Sequence, residues 1–350
     1  MSAYDADVIV VGAGPAGGMA AWQLAPDCRV LLLERARLPR EKLCSGVITA
    51  KSAAQLAPAV DLQACVIGRA DEVVVTYRGH GTPMHLVRPL LFASRPRLDA
   101  SLAEAAVRRG AQLAEGVRVV AADPEAATVR LADGRVLRAR ALIGADGAAG
   151  VCARAVGEPP VPGTAIEARV LDPRGGGPRP ALLEAALPGG YLWAFPKHDG
   201  TVAVGGGSFV PAIWPHLRAR VGEWAKAAVG LHPAAVARAP GHRLPFLRPR
   251  RPQRGRLLLA GDAAGWIDPL LGEGIPYALW SGRLAARHAL RCLEGGARWE
   301  DYAGALAPLL RFRRPYDLLG WRADRVRRLM AVPAVTRAGW RWLVDRAVAP

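Results

Sequence analysis

The chain has 350 residues, enough for a large buried core and for two lobes. Its five cysteines are odd in number, scattered and without a C-x-x-C pair, which argues against a disulfide framework and a structural zinc and for reduced thiols in the cytoplasm. The formal net charge is +17 and unevenly placed: residues 281–350 hold fourteen arginines and no lysine against six acidic residues. Charge alone leaves nucleic acid, an anionic membrane surface and a plain solvated surface open.

The first predicted element is a strand, Val8-Ile9-Val10-Val11, that enters the loop Gly12-Ala13-Gly14-Pro15-Ala16-Gly17 and then a helix. In such a loop the first glycine permits the tight turn, the second lets backbone approach a pyrophosphate, and the third lets helix and strand pack closely. Those roles fall to Gly12, Gly14 and Gly17, with Ala16 between the last two. The helix N-terminus offers amide hydrogens and a partial positive charge to the phosphates. A second strand, Val30-Leu31-Leu32-Leu33, ends at Glu34, 22 positions after Gly12, where a carboxylate can hold a ribose diol. The unit predicts dinucleotide binding. Residues 8–26 carry no charge, but their glycines and prolines argue against a membrane span. Asp5 and Asp7 stand where a signal peptide would carry basic residues.

Strand-like segments at 72–77, 84–87, 164–171, 181–187, 191–195 and 201–205 predict an antiparallel lobe. Tyr191, Trp193 and Phe195 alternate along one of them and share a face. That face suits either a core or a flat apolar wall for a long hydrocarbon or an aromatic substrate. Ala141-Leu142-Ile143-Gly144-Ala145-Asp146-Gly147 predicts a strand ending in an acid. Leu257-Leu258-Leu259-Ala260-Gly261-Asp262 predicts another, and Asp268-Pro269-Leu270-Leu271-Gly272-Glu273-Gly274-Ile275 then leads into a helix rich in Ala and Leu. One fingerprint suffices for NAD, whereas extra acid-bearing strand ends suit a longer cofactor with ribityl hydroxyls and a second phosphate, as in FAD.

The expected fold is α/β. A Rossmann-type FAD-binding domain is assembled from 1–55, 92–160 and 245–300. An antiparallel-sheet substrate domain comes from 56–91 and 161–244, and residues 301–350 form a short helical C-terminal segment broken at Pro308, Pro315 and Pro333. In its tail Trp340, Leu343 and Val344 share a helical side with Arg337, Arg341 and Arg346 nearby, which suits packing onto the protein or contact with a membrane surface.

The three-part cofactor pattern resembles the FAD-dependent reductase and hydroxylase superfamily that shares the para-hydroxybenzoate hydroxylase fold, over most of residues 5–295. Two further segments narrow the resemblance to the geranylgeranyl reductase family. Pro188-Gly189-Gly190-Tyr191-Leu192-Trp193-Ala194-Phe195-Pro196-Lys197 is similar to its Y-x-W-x-F-P signature, and Arg40-Glu41-Lys42-Leu43-Cys44-Ser45-Gly46 resembles its cysteine-glycine loop. The resemblance implies that Asp262 holds the ribityl chain and that Gly272, Gly274 and Ile275 sit by the flavin ring. It also implies that Arg95, within Ser94-Arg95-Pro96-Arg97-Leu98-Asp99, contacts the cofactor, with Arg35, Lys42, Cys44, Ser45, Gly46, Asp146 and Gly261 completing the site.

The implied reaction is reduction of carbon–carbon double bonds in a prenyl chain or prenyl lipid, with hydride from flavin N5 and the substrate against Tyr191, Trp193 and Phe195. Cys44 is the implied catalytic residue. The reaction also needs a proton, for which a thiol near the ring is one candidate, and ordered water or Tyr191 are others. The alternative is an FAD-dependent monooxygenase acting on an aromatic or polyketide-like substrate. A halogenase would need a relay lysine in the first half, and no lysine lies between Lys51 and Lys197. A flavoprotein that merely binds lipid or nucleic acid is motivated by the charge alone. No second glycine fingerprint marks an NAD(P)H domain, so the electron donor stays open between NAD(P)H and a carrier protein such as ferredoxin. Expected partners are therefore an apolar small-molecule or lipid substrate, an anionic membrane surface and an electron carrier, and not nucleic acid. The expected location is cytoplasmic, peripheral on the inner membrane face.

Overall fold

The computed structural model describes residues 4–157, 163–175, 177–245, 251–268 and 270–320, and beyond these only 325, 326, 329, 332, 334, 335 and 338. Two sheets organise them. In the first, the strands lie in the order Gln253–Arg254, Leu257–Leu259, Val136–Gly144, Ala6–Val11, Val30–Glu34, Gln112–Glu115. All neighbours along this row are parallel except the short outermost strand. Parallel strands bury both faces, so their sequences are continuous apolar runs: Ile9, Val10, Leu32, Leu142, Ile143 and Leu258 are all fully buried.

Helix Pro15–Leu24 returns across this sheet and packs on helix Ile275–Leu293. Small residues permit both approaches. A Cβ on Gly17 would stand 1.8 Å from the Gly12 carbonyl oxygen, and one on Gly282 would stand 2.2 Å from that of Ala16. The strands Ala6–Val11, Val30–Glu34, Val136–Gly144 and Leu257–Leu259 share one direction, so their carboxyl ends open onto one edge. Ligands of open parallel sheets bind at that edge.

The second sheet runs Gly241–Arg243, Thr164–Leu171, Thr201–Ser208, Gly190–Pro196, Ala181–Glu184, Val66–Tyr77, His80–Ala93, Val47–Ile48. It is antiparallel apart from Ala181–Glu184 against Val66–Tyr77. Alternation sends Trp193 and Phe195 to one apolar cluster, and Leu192 and Ala194 to another beneath helix Leu217–Val229.

Three expectations need correction. Val47 and Ile48 pair with Phe92 and Leu91, so part of the stretch assigned to the cofactor domain extends the substrate sheet instead. The strand expected at 84–87 runs from His80 to Ala93. Its ladder with Val66–Tyr77 slips between Ala70 and Glu72, opposite the stretch that holds Pro89. A proline cannot donate to the ladder, and a bulge accommodates it. Helix Ala307–Gly320 also continues through Pro315 instead of breaking there, with Pro308 in its first turn, where a missing N–H costs nothing. Pro333, Arg337, Trp340, Arg341, Leu343, Val344 and Arg346 lie outside the described residues.

Candidate functional site

At the carboxyl edge of the parallel sheet lies a cleft of about 480 Å³. Several separate stretches wall it, residues 117–120 and His242 among them. Others contribute Gly12, Gly14 and Ala16; Glu34, Arg35, Lys42 and Cys44; Arg95; Asp146; and Gly261, Asp262, Gly272, Gly274 and Ile275. The expected cofactor residues outside this wall are Gly17, Ser45 and Gly46. Gly17 packs the first helix against its strand. Gly46 has φ +69° and no room for a side chain, and its carbonyl accepts from Ala93 N at 2.8 Å, which is a backbone role. Ser45 turns away into a second cavity.

The cleft suits a dinucleotide. Helix Pro15–Leu24 begins without a side-chain cap and without an acid in its first turn. A Cβ on Gly14 would meet nothing nearer than Arg40 Nη2 at 3.9 Å. Open amide donors and empty space at one helix N-terminus make an anion site. Glu34, at the end of its strand, accepts from the amides of Ala13 and Ala36 and from Arg40 Nη2, each at 3.1 Å. Burial opposes its charge, but Arg40 and the amides outweigh burial and hold its pKa below the usual range. Arg40 also donates to Asp99 at 3.1 Å, and Asp99 takes a two-pronged bond from Arg95 at 3.0 and 2.9 Å. Burial opposes the charge of Arg95, yet Asp99 and the adjoining Cys44 sulfur raise its pKa, so it stays a fixed cation. Asp146 accepts from Cys152 N at 3.0 Å and so anchors helix Val151–Ala155 at the cleft's edge. A Cβ on Gly150 would collide with this carboxylate.

A mostly apolar cavity of about 210 Å³ adjoins the cleft. Tyr191, Trp193 and Phe195 form one wall, with successive ring centroids 5.5 and 6.4 Å apart, and Phe92 stacks on Phe195 at 5.1 Å. Trp193 and Phe195 are also buried members of the lobe's core, so the same side chains serve as core and as wall. Cys44, His242, Gly272, Gly274 and Ile275 line both spaces, which therefore meet at the cysteine and the glycine-rich turn. The Tyr191 hydroxyl donates to the Leu271 carbonyl at 2.5 Å, which commits its proton to the loop before that turn.

The same region holds polar groups that sequence reasoning passed over. Glu167, on strand Thr164–Leu171, lines the cavity and accepts from Trp193 Nε1 at 2.8 Å and from Ser45 Oγ. Burial pushes its carboxyl above the usual range. Lys197 donates to the Ser45 carbonyl at 2.9 Å and lies over the Phe92 ring at 4.4 Å, and burial lowers its pKa to about 8. Lys42 Nζ donates to His242 Nε2 at 2.8 Å, and burial together with the Lys42 charge pushes His242 down to about 4. Buried Lys51 pairs with Glu273 behind the glycine turn, beside fully buried Asp268. The available signal was an acid at an inward position of an alternating strand, Glu167.

Comparison with known proteins agrees with this geometry. Residues 5–223 match the FAD binding domain family. The chain is 31% identical over 346 residues to a menaquinone reductase of Mycolicibacterium smegmatis, covering 87% of this chain and 80% of that protein. It is 30% identical over 313 residues to digeranylgeranylglycerophospholipid reductase 1 of Methanopyrus kandleri, covering 82% and 81%. A geranylgeranyl bacteriochlorophyll reductase-like protein from Thermoplasma acidophilum shares the fold at a TM-score of 0.78 and 20% identity, covering 98% of this chain and 92% of that one. With the glycine loop, the basic cleft and the adjoining aromatic cavity in place, the chain belongs to the geranylgeranyl reductase family of FAD-dependent oxidoreductases.

Proposed function

We propose that this protein reduces carbon–carbon double bonds of a prenyl chain or prenyl lipid. The observation that carries the reading is the apolar cavity, walled by Tyr191, Trp193 and Phe195, that opens on the cofactor cleft at Cys44 and Gly272. A prenyl hydrocarbon guest gains from such a wall by losing water contact, and aromatic rings supply large flat area for it. At about 210 Å³ the cavity is smaller than the ~300–1,000 Å³ of ordinary ligand clefts. It therefore takes a segment of a long chain, with the remainder leaving through the mouth.

Bound and reduced, FAD supplies the hydride. The chain's residues do the rest. The Gly12–Gly14 loop and the helix N-terminus behind it take the pyrophosphate, Glu34 takes a ribose, and Arg95, Lys42 and Arg40 neutralise charge along the cleft. Cys44 touches both spaces and is assigned to the reacting face, with Gly46 N donating to its sulfur at 3.4 Å. Relatives named for reduction of menaquinone and of a digeranylgeranyl glycerophospholipid support a lipid substrate. Among the described residues no helix is long and apolar enough to cross a membrane. The arginine-rich residues 281–350 support a peripheral position on an anionic surface, where a prenyl lipid would be met. The donor of electrons to the flavin is either NAD(P)H or an acidic carrier protein, for which the basic surface is suited.

The deciding experiment reduces the flavin anaerobically and adds geranylgeranyl lipids or prenylated quinones. Reoxidation without oxygen, giving a product two hydrogens heavier per bond, is expected. Reoxidation only with oxygen, with a product one oxygen heavier, would overturn the assignment.

A further inference from the structure

We propose that Glu167 is the proton donor of the cavity, held in place by the Ser45 hydroxyl and the Trp193 indole. The inference rests on the cavity's guest being an alkene. Adding a hydride to one carbon of a double bond leaves the other carbon needing a proton, and an otherwise apolar cavity offers few sources. Tyr191 gives its proton to the Leu271 carbonyl. His242, with a pKa near 4, is neutral at pH 7, and its Nε2 accepts from Lys42. Glu273 is engaged by the side chain of buried Lys51. Glu167 differs from each of these, because its bonded partners are the neutral Ser45 O–H and Trp193 N–H.

Position favours it as well. Cys44 lines both the cofactor cleft and the cavity, whereas Glu167 lines only the cavity. It meets a guest without meeting the cofactor. Burial favours its protonated form. The charged and titratable groups around it are Lys197 and Arg169, which favour the carboxylate, together with Cys44, His242 and, behind His242, Lys42. In the step, the Glu167 O–H bond breaks and a C–H bond forms on the carbon that did not receive hydride. The carboxylate left behind is stabilised by Ser45, Trp193 and Lys197, and one proton from water restores it. No further oxidant or reductant is required.

The test uses FAD-loaded wild-type protein and Glu167→Gln, with Glu167→Asp as the conservative control. Infrared difference spectra across a pH titration should show a protonated-carboxyl band in the wild type. It should persist above pH ~4.3, where ordinary glutamates ionise, and be missing from E167Q. Pre-reduced E167Q should be reoxidised by a geranylgeranyl lipid at least about 100-fold more slowly than wild type, within the range of a lost general acid. FAD content and reduction by dithionite should be unchanged, and E167D should recover part of the rate. The wild-type rate should fall as pH rises through the raised Glu167 pKa, and E167Q should lose that limb. A missing band, or E167Q reoxidised at the wild-type rate, refutes the proposal. If reduced wild-type protein ignores every prenyl lipid, the prenyl assignment fails by itself. The band then decides alone whether Glu167 carries a proton into the cavity.

Discussion

Two glycines of one loop make opposite predictions when each is changed to alanine. At Gly17 the new methyl carbon would lie 1.8 Å from the Gly12 carbonyl oxygen, a backbone atom that cannot step aside without opening the strand–helix turn. Overpacking of that kind costs about 1–3 kcal/mol, and with backbone as the obstacle the upper end is expected. At Gly14 the nearest atom to the new methyl is the tip of the Arg40 side chain at 3.9 Å, and φ is −82°, which any residue adopts. Gly14→Ala should therefore change the stability of cofactor-free protein by less than about 1 kcal/mol, a small cost at most for alanine at an N-cap. Its methyl projects into the cleft where the pyrophosphate approaches the helix amides, so FAD affinity should fall at least tenfold, or about 1.4 kcal/mol. Urea unfolding of the stripped proteins, followed by tryptophan fluorescence, measures the first quantity, and titration with FAD measures the second. If G14A destabilises the stripped protein as much as G17A, or binds FAD like the wild type, the assignment of Gly14 to the cofactor's path is wrong.

Cys44→Ala should keep FAD and lose most turnover, by a larger factor than Cys65→Ala or Cys292→Ala, and equal rates in all three would make Cys44 a packing residue. Asp268→Asn should raise the stability of the stripped protein at neutral pH, by up to about 3 kcal/mol, because the buried carboxyl is pushed from 3.8 to about 6. The carboxyl's folded-state pKa is raised, so its contribution favours folding at low pH and is lost as pH climbs from about 4 to 6. The asparagine retains the bonds from Leu270 N and Leu271 N and should abolish that part of the urea-measured pH dependence. Sedimentation with anionic liposomes should fall when residues 333–350 are removed and when salt is raised, since basic residues contribute about 1 kcal/mol each near such a surface. Equal pelleting on neutral lipid would make the tail an ordinary packed segment.

The cofactor cleft was legible in the sequence because its grammar is local. Gly12, Gly14, Gly17 and Glu34 act within one strand–helix–strand unit: backbone geometry demands glycine at 12 and 17, and Gly14 keeps the helix N-terminus open to a ligand. The aromatic wall was legible only in part. Alternation placed Tyr191, Trp193 and Phe195 on one face, but whether that face met core or space depended on elements elsewhere in the chain. The polar lining was not legible. Glu167 meets Ser45 across 122 positions, Lys197 meets the same residue across 152, and Lys42 meets His242 across 200. Nothing in the neighbourhood of either partner in such a pair announces the other. Ser45 shows the difficulty well: its place in a cofactor-type loop suggested the cleft, yet the sharp turn at Gly46 directs it into the second cavity.

The parallel sheet also constrains how the molecule is made. The neighbour of strand Val136–Gly144 on one side is Ala6–Val11, but on the other it is Leu257–Leu259, and the first helix waits for Ile275–Leu293 to cover it. A nascent chain leaving the ribosome therefore carries an unpaired parallel edge while the part of the substrate lobe from Thr164 to Arg243 is made, and a bare helix face for longer still. Such surfaces attract other chains, and non-local pairing of this kind closes slowly. Asp262 and the glycine turn arrive only after that interval, so the nucleotide can be captured in full only once those segments have been made. Supply of free FAD at that moment, by binding the newly closed cleft, would set the yield of native protein by mass action.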